Sequence, residues 1–397
     1  MNSQAALVRL FRLLFGIAGL LFLAGCGGGT SQSLNNQPPQ HNPPPPSGTN
    51  TLPWMTVAVA PDPSGKFGKF AYVTRSASNS ISMYSIDPTN AALQPIGTAA
   101  AGTSPMSIVV DTSGRFAYVA NQNSSDISMY TIDPTSGVLM SIGKIAAGTS
   151  PISLAVDPSG RFAYVANEGS NDISMYTINA TDGTLKPLGA MAAGVGPTSI
   201  AIDPSGKFVY VTNAGLSGPP EVNTNNGNVS MYVINSTSGV LESLGTIATG
   251  MYPRSVAVDS SGKFAYVANC GDFERNQGDV AMYSIDTTTG TLTSMGTMIA
   301  GSCPLSVGLH PSGKFAYAVN TGSDGGPDIE GVSMYAISGV GTLTSLGLMN
   351  AGYCPSSVAL DPLGRFAYVT NHCDISISMY RIDPATGILT LIGTVGT

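Results

Sequence analysis

Four side chains in this sequence have the types that open a carbonyl compound: Glu168, Arg254, Arg275 and His372. An arginine stabilises the oxyanion that develops when a carbonyl is attacked, and a carboxylate or imidazole takes the proton of the attacking water. Arg75, Tyr252, Asp272, Glu274 and Tyr353 are candidates for a polar rim that holds a small anionic or sugar-like ligand. These residues are spread along the chain, and no two of them form a local catalytic motif. Any chemistry they share depends on the framework that gathers them.

That framework is written as a repeat. The phrase Phe-Ala-Tyr-Val-Ala-Asn recurs seven times with small changes, at Tyr72, Tyr118, Tyr164, Tyr210, Tyr266, Tyr317 and Tyr368, in steps of 46, 46, 46, 56, 51 and 51 residues. The third unit shows the pattern in full. Pro151 to Val156 alternates small and apolar residues as a strand, and Asp157-Pro158-Ser159-Gly160 is turn chemistry. Phe162 to Ala166 is aromatic and β-branched, a polar loop leads to Ile173 to Ile178, and a Gly turn at Thr181-Asp182-Gly183 precedes a weaker strand. Four strands per unit and seven units predict an all-β, seven-bladed β-propeller of four-stranded antiparallel blades. Strand a of each blade lines the axis and strand d faces out. Both terminal units read as complete, so the ring is expected to close without a swapped strand, with an irregular stretch near Ser64 to Lys69. With 43% hydrophobic and 10% charged residues, 48 Gly and 27 Pro, the composition suits short strands joined by turns.

In such a ring the b–c loops and the d–a connections share one face, and all the candidates above fall there. The b–c loop grows in three blades, at Ala214–Gly227, Cys270–Gly278 and Thr321–Gly331, which accounts for the longer steps. Variable loops on a rigid scaffold are where binding sites form. Asp324, Asp328 and Glu330 lie among glycines there, but their spacing matches no defined calcium loop, and no metal or cofactor is expected.

Several regularities read as structural. Lys69, Arg115, Arg161, Lys207, Lys263, Lys314 and Arg365 occupy one repeat position, and in five units an Asp four residues earlier is expected to neutralise them. With a formal charge of −7, the chain is not expected to bind nucleic acid. Met83, Met129, Met175, Met231, Met282, Met334 and Met379 recur inside strand c and are expected to fill the core. Asn121, Asn167, Asn213, Asn269, Asn320 and Asn371 end strand b and are expected to tie down the following loop. His310 reads as a variant of the first-turn Asp.

The N-terminus is an address. Arg9 and Arg12 precede an apolar run, Leu13 to Leu23, that is short for a spanning helix and ends in Leu23-Ala24-Gly25-Cys26. This resembles a lipoprotein signal, with residues 1–25 removed and Cys26 lipidated, so the membrane is the first expected partner. Gly27, where an Asp would signal inner-membrane retention, favours the outer membrane. Residues 26–53, with Pro43-Pro44-Pro45-Pro46, read as a disordered tether, and 54–397 as the ring, monomeric and exported into the cell envelope. Four cysteines remain, and an exported chain favours disulfides over metal ligation. Three pairings are open. Antiparallel neighbours make Cys354–Cys373 plausible within one blade, and Cys270–Cys303 can meet across adjacent blades.

The unit Asp-Pro-Ser-Gly-Lys-Phe-Ala-Tyr-Val-Ala-Asn, followed by Ile-Ser-Met-Tyr, resembles the YVTN repeats of envelope β-propellers and the wider lactonase-type seven-bladed propellers, which include a 6-phosphogluconolactonase. The resemblance implies an Arg-His pair opening an inner strand and an Asn-Glu pair ending a strand b. Asn167-Glu168 matches the second; Pro253-Arg254-Ser255 has the arginine two blades later, with Ser in the histidine's place; Asn371-His372 carries a histidine elsewhere. The expected function is therefore a lipid-anchored binding or interaction module for an envelope protein or small anionic or sugar-like ligand. The alternative is a lactonase-like hydrolase of cyclic esters, and free thiols at the Cys/His rim would point instead to a metal- or redox-linked role.

Overall fold

The computed structural model describes residues 55–61, 68–215, 226–272, 277–322 and 330–397. The chain divides into Met1–Asn50 and Thr51–Thr397, and every described residue belongs to the second unit. Cys26, the leader and the tether segment lie outside the described residues.

Seven sheets of four consecutive antiparallel strands make the ring, each running a-b-c-d without crossover. Blade one comprises Val57–Pro61, Gly68–Arg75, Ser80–Ile86 and Leu93–Ala100, and blade seven Pro355–Leu360, Phe366–Asn371, Ser376–Ile382 and Leu389–Gly396. No strand is exchanged between them. The register of blade one shifts between Ala60 and Pro61, whose partners are Phe70 and Gly68, and residues 64–67 of the stretch expected to be irregular lie outside the described residues.

Strand b is the most buried element because each sheet packs both faces against neighbouring blades. Phe162–Asn167, for example, is buried at every position. Burying tyrosine requires partners for its hydroxyl, and the repeat supplies them between blades. The strand b phenol reaches forward to the c–d turn of the next blade: Tyr118 OH donates to Gly183 O at 2.8 Å and Tyr164 OH to Gly239 O at 2.8 Å. The strand c phenol reaches back to the preceding strand d, as Tyr176 OH does to Ala146 O at 2.7 Å. Both sets continue across the closure, through Tyr368 OH to Ala91 O at 3.4 Å and Tyr84 OH to Gly396 O at 3.2 Å.

The strand c methionines are buried, as expected, and six of the seven thioethers do more than fill space. Met129 Sδ accepts the N–H of Leu185 at 3.4 Å and Met282 Sδ that of Leu343 at 3.2 Å, again one blade ahead. At the inner edge, serine hydroxyls stitch successive strands a: Ile200 N–H donates to Ser153 Oγ, Val256 N–H to Ser199 Oγ and Val307 N–H to Ser255 Oγ, each at 3.2 Å. Ser255, the residue in the histidine's place, is thus part of the ring's inner seam.

Two expectations need correction. Except in blade seven, the turn carboxylates do not form ion pairs with the basic residues among the described residues. Asp157 Oδ1 accepts the backbone N–H groups of Arg161 and Phe162, both at 2.7 Å, and so is spent on closing its turn. Arg161 instead lies over the Phe162 ring, 4.9 Å from its centroid, and donates to Ser236 O in the next blade at 2.9 Å. Within the set, Arg365–Asp361 at 3.4 Å is the ion pair among the described residues. The strand-end asparagines, secondly, hold the preceding d–a connection as well as strand c. Asn121 Oδ1 accepts Gly102 N–H at 3.0 Å, while its Nδ2 donates to Asp126 Oδ1 at 2.6 Å and Ser128 Oγ at 2.9 Å.

His310 is a turn variant. Its Nδ1 lies 2.7 Å from Ser312 Oγ, and its Nε2 lies 2.8 Å from Gly364 O of blade seven. A carbonyl only accepts, so Nε2 carries the proton and the ring becomes one more fastening between blades.

Candidate functional site

Both disulfides pair as favoured, Cys270–Cys303 and Cys354–Cys373. They fasten the b–c side to the d–a side of one rim, which confirms that these connections share a face. The residue before strand a adopts a left-handed backbone in six blades, at Ser104, Ser150, Gly196, Tyr252, Cys303 and Cys354. Its carbonyl accepts the N–H of the residue after the strand b asparagine: Ser150 O from Glu168 at 2.9 Å, Tyr252 O from Cys270 at 3.1 Å, Cys354 O from His372 at 3.1 Å. This turn places one residue per blade at the same register position on that rim. Gln122, Glu168, Ala214, Cys270, Thr321 and His372 occupy the position.

Arg254 enters from the second residue of strand a in blade five (Pro253–Val258). Burial pushes its pKa below the usual guanidinium range, against the opposing charges of Glu168 and Tyr252. Its Nε is buried and finds no hydrogen-bond partner among the described residues. Blade four separates Arg254 from the blade that carries Glu168, whose charge is one of those opposing the loss of the guanidinium proton. Yet no ion pair within 4.0 Å joins them among the described residues. Glu168 Oε2 instead accepts Gln122 Nε2 at 3.3 Å, from the adjacent blade.

Next to Glu168, Asn167 Oδ1 is buried without a partner, because Gly148 N–H turns to Ser174 Oγ at 3.1 Å instead of to the asparagine, the bond seen in blades two, four, six and seven. Unpaired buried polar atoms cost about 1–3 kcal/mol each, more for a charged group. Two of them at one end of a highly repetitive fold mark where the repeat serves something other than stability.

The remaining candidates separate. His372 is buried beside its own blade's disulfide, with its ring and the sulfurs of Cys354 and Cys373 within 4.8 Å of one another. Sulfurs joined to each other offer no thiolate, so this group is no metal centre while oxidised. Arg75 ends strand b of blade one, paired with Ser80 of strand c, and its charge, after burial and Ser82, is among the influences on the Tyr84 phenol. Tyr353 is 45% exposed and donates its N–H to Asp374 Oδ2 at 3.2 Å. Arg275 and Glu274 lie outside the described residues, as do the side chain of Asp272 and the central parts of the three long loops. Gln122 was missed. Reading the column one step past the strand b asparagine puts it 46 residues before Glu168, and that signal was available.

The family model for the lactonase seven-bladed β-propeller matches residues 57–155, 143–309 and 306–396. The chain belongs to the lactonase seven-bladed β-propeller family. Among solved structures, this lactonase-family chain is similar to a putative 6-phosphogluconolactonase from Bacteroides uniformis, with 20% identity, 87% of this chain and 97% of that one covered, and a TM-score of 0.70. It is similar also to a periplasmic gluconolactonase of Pseudomonas aeruginosa (19% identity, 86% and 96% covered, TM-score 0.67). The hydrazine synthase of Kuenenia stuttgartiensis carries the same ring (20% identity, 84% and 97% covered, TM-score 0.65), so at such identities the likeness speaks for fold alone. No curated protein sequence matches the chain.

Proposed function

We propose that the axial mouth between Glu168 and Arg254 binds a small sugar acid or sugar lactone, on a ring held at the cell envelope by a lipid on Cys26. The observation that carries the reading is the buried, unpartnered Nε of Arg254, with the Glu168 carboxylate engaged by Gln122 and not by the guanidinium. A guanidinium with donors to spare takes a carboxylate or polarises a carbonyl, and it does so more strongly where water is scarce. The family and the two lactonase neighbours support a ligand of this class. The lipobox pattern supports the anchor, and loss of palmitate labelling in Cys26→Ser would be its expected signature.

Hydrolysis is the second reading, favoured by Glu168 being held off the cation. A carboxylate across the gap from the polarised carbonyl takes the proton of an attacking water, and Arg254 bears the developing oxyanion. Calorimetry with gluconate and turnover of glucono-1,5-lactone test both readings on the full chain. Arg254→Ala is expected to weaken gluconate binding at least tenfold, about 1.4 kcal/mol. Glu168→Ala is expected to abolish turnover with binding retained. A wild-type chain that neither binds gluconate nor opens the lactone would overturn the assignment; binding without turnover would leave a binding module.

A further inference from the structure

We propose that Cys354, His372 and Cys373 form a zinc site, closed while the two sulfurs are bonded to each other and opened when a dithiol reduces the bridge. The site is independent of Arg254 and Glu168, which belong to other blades. Its three ligand residues come from two connections that blade seven already holds in place. Cys354 stands in the left-handed turn before strand a, at φ 50°, and its carbonyl accepts the His372 N–H at 3.1 Å. Gly352 N–H donates to Asn371 Oδ1 at 3.1 Å and Tyr353 N–H to Asp374 Oδ2 at 3.2 Å, so both sides of the group are fixed by bonds other than the disulfide. The same turn closes in blades two, three and four, between Ser104 and Gln122, Ser150 and Glu168, and Gly196 and Ala214, with no cysteine in those connections. The frame therefore stands without a bridge. What blade seven adds to it is two sulfurs and an imidazole.

Distance and donor type name the ion. One ligand atom each from Cys354, His372 and Cys373 lies within 4.8 Å of the other two. Around a tetrahedral zinc, two sulfurs sit about 3.8 Å apart, and a sulfur and an imidazole nitrogen about 3.6 Å. The cysteine Cα atoms are 5.4 Å apart, so rotation of the freed side chains covers the difference. Two thiolates and one imidazole suit zinc rather than magnesium or calcium, and they supply three of its four ligands. Reduction must come first. Cys373 is exposed, whereas Cys354 is half-buried and His372 buried, so an incoming thiolate reaches the Cys373 sulfur. It forms a mixed disulfide there and releases Cys354 as a thiolate. The second thiol of the reductant then displaces Cys373 and closes the reductant's own disulfide. Two electrons pass from the dithiol to the bridge, two protons follow, and zinc displaces those protons as it binds.

The test uses the full chain carrying Cys26→Ser, so that the remaining thiols are those of the ring. Dithiothreitol is expected to expose Cys354 and Cys373 of the oxidised chain to alkylation, and a bridge that resists it would refute the opening step. For metal binding the chain is reduced with a phosphine, freed of it without air, and titrated with zinc against a chromophoric chelator. Cobalt in place of zinc reports its ligands through thiolate-to-metal charge transfer. The reduced chain is expected to take one zinc at least a hundredfold more tightly than the oxidised chain. Cys270→Ser/Cys303→Ser is expected to keep that zinc and Cys354→Ser/Cys373→Ser to lose it. His372→Ala and His372→Gln are each expected to weaken it at least tenfold, about 1.4 kcal/mol. Blade four has Ala214 and blade two Gln122 at the same position, so the frame accepts either side chain. A reduced chain that unfolds by circular dichroism, or stays folded and binds no more zinc than the oxidised one, overturns the proposal. So does zinc retained by Cys354→Ser/Cys373→Ser, or held by both His372 variants as tightly as by wild type.

Discussion

Replacing Gly183 by alanine tests the physical account of how blades are fastened. Gly183 sits in the c–d turn of blade three at φ +77°, and its carbonyl accepts the Tyr118 hydroxyl from blade two at 2.8 Å. A Cβ there would lie 2.3 Å from the ring of Phe116. The left-handed backbone costs a non-glycine residue about 1–2 kcal/mol. Forcing a methyl against a packed aromatic ring adds about 1–3 kcal/mol, and displacing the turn weakens a bond worth about 1 kcal/mol net. Together the expected loss is about 3–6 kcal/mol. A ring of this length unfolds with an entropy near 0.7 kcal/mol per degree, so the melting temperature should fall by about 4–8 °C in calorimetry. Gly183→Ala combined with Phe116→Leu should cost less than the sum of the two, because the smaller side chain makes room. The closure supplies the opposite control. Ala91 already occupies the equivalent turn at φ 62°, and Tyr368 reaches its carbonyl at the longer distance of 3.4 Å. Ala91→Gly relieves the backbone at some cost in unfolded-chain entropy, for a net gain of about 0.5–1 kcal/mol. A Gly183→Ala protein melting within 1 °C of wild type, or an Ala91→Gly protein that melts lower, would refute the reasoning.

The interblade tyrosines also set an alkaline limit. Burial raises the phenol pKa of Tyr72, Tyr118, Tyr164 and their counterparts above the ordinary value of 10, with Tyr335 and Tyr380 pushed up to about 12. A pKa raised in the folded state gives stability that is whole below pH 10 and is lost as pH rises through the folded values. Absorbance at 295 nm should therefore show phenolate appearing in step with loss of structure above pH 10, and a gradual ionisation of a still-folded ring would contradict this. The Cys354–Cys373 bridge spans 19 residues, for which loop closure predicts about 3 kcal/mol. The Cys354→Ser/Cys373→Ser protein should lose about that much in denaturant unfolding, and an unchanged midpoint would show that the bridge constrains nothing. At the mouth, Arg254→Ala and Glu168→Ala should separate binding from turnover as described above, with folding intact.

What the sequence by itself determined is everything that repeats. A strand's fate depends on alternation, a turn's on Asp, Pro and Gly at set offsets, and seven aligned copies state both seven times. The blade order, the buried strand c methionines and both disulfide partnerships were legible for that reason. The function of the repeated polar groups was less legible, because their partners lie one blade away. Nothing local says that Arg161 fastens to Ser236, that Met129 accepts the Leu185 amide, or that Asn121 holds Gly102 of the preceding connection. The site was the least legible. Glu168 and Arg254 are 86 residues apart and belong to blades three and five, with blade four between them, so no local pattern links them. Gln122 carries no charge and looks like ordinary loop polarity until its amide is seen on the Glu168 carboxylate. Local propensity writes the strands; the curvature that closes seven of these blades into a ring decides which side chains meet.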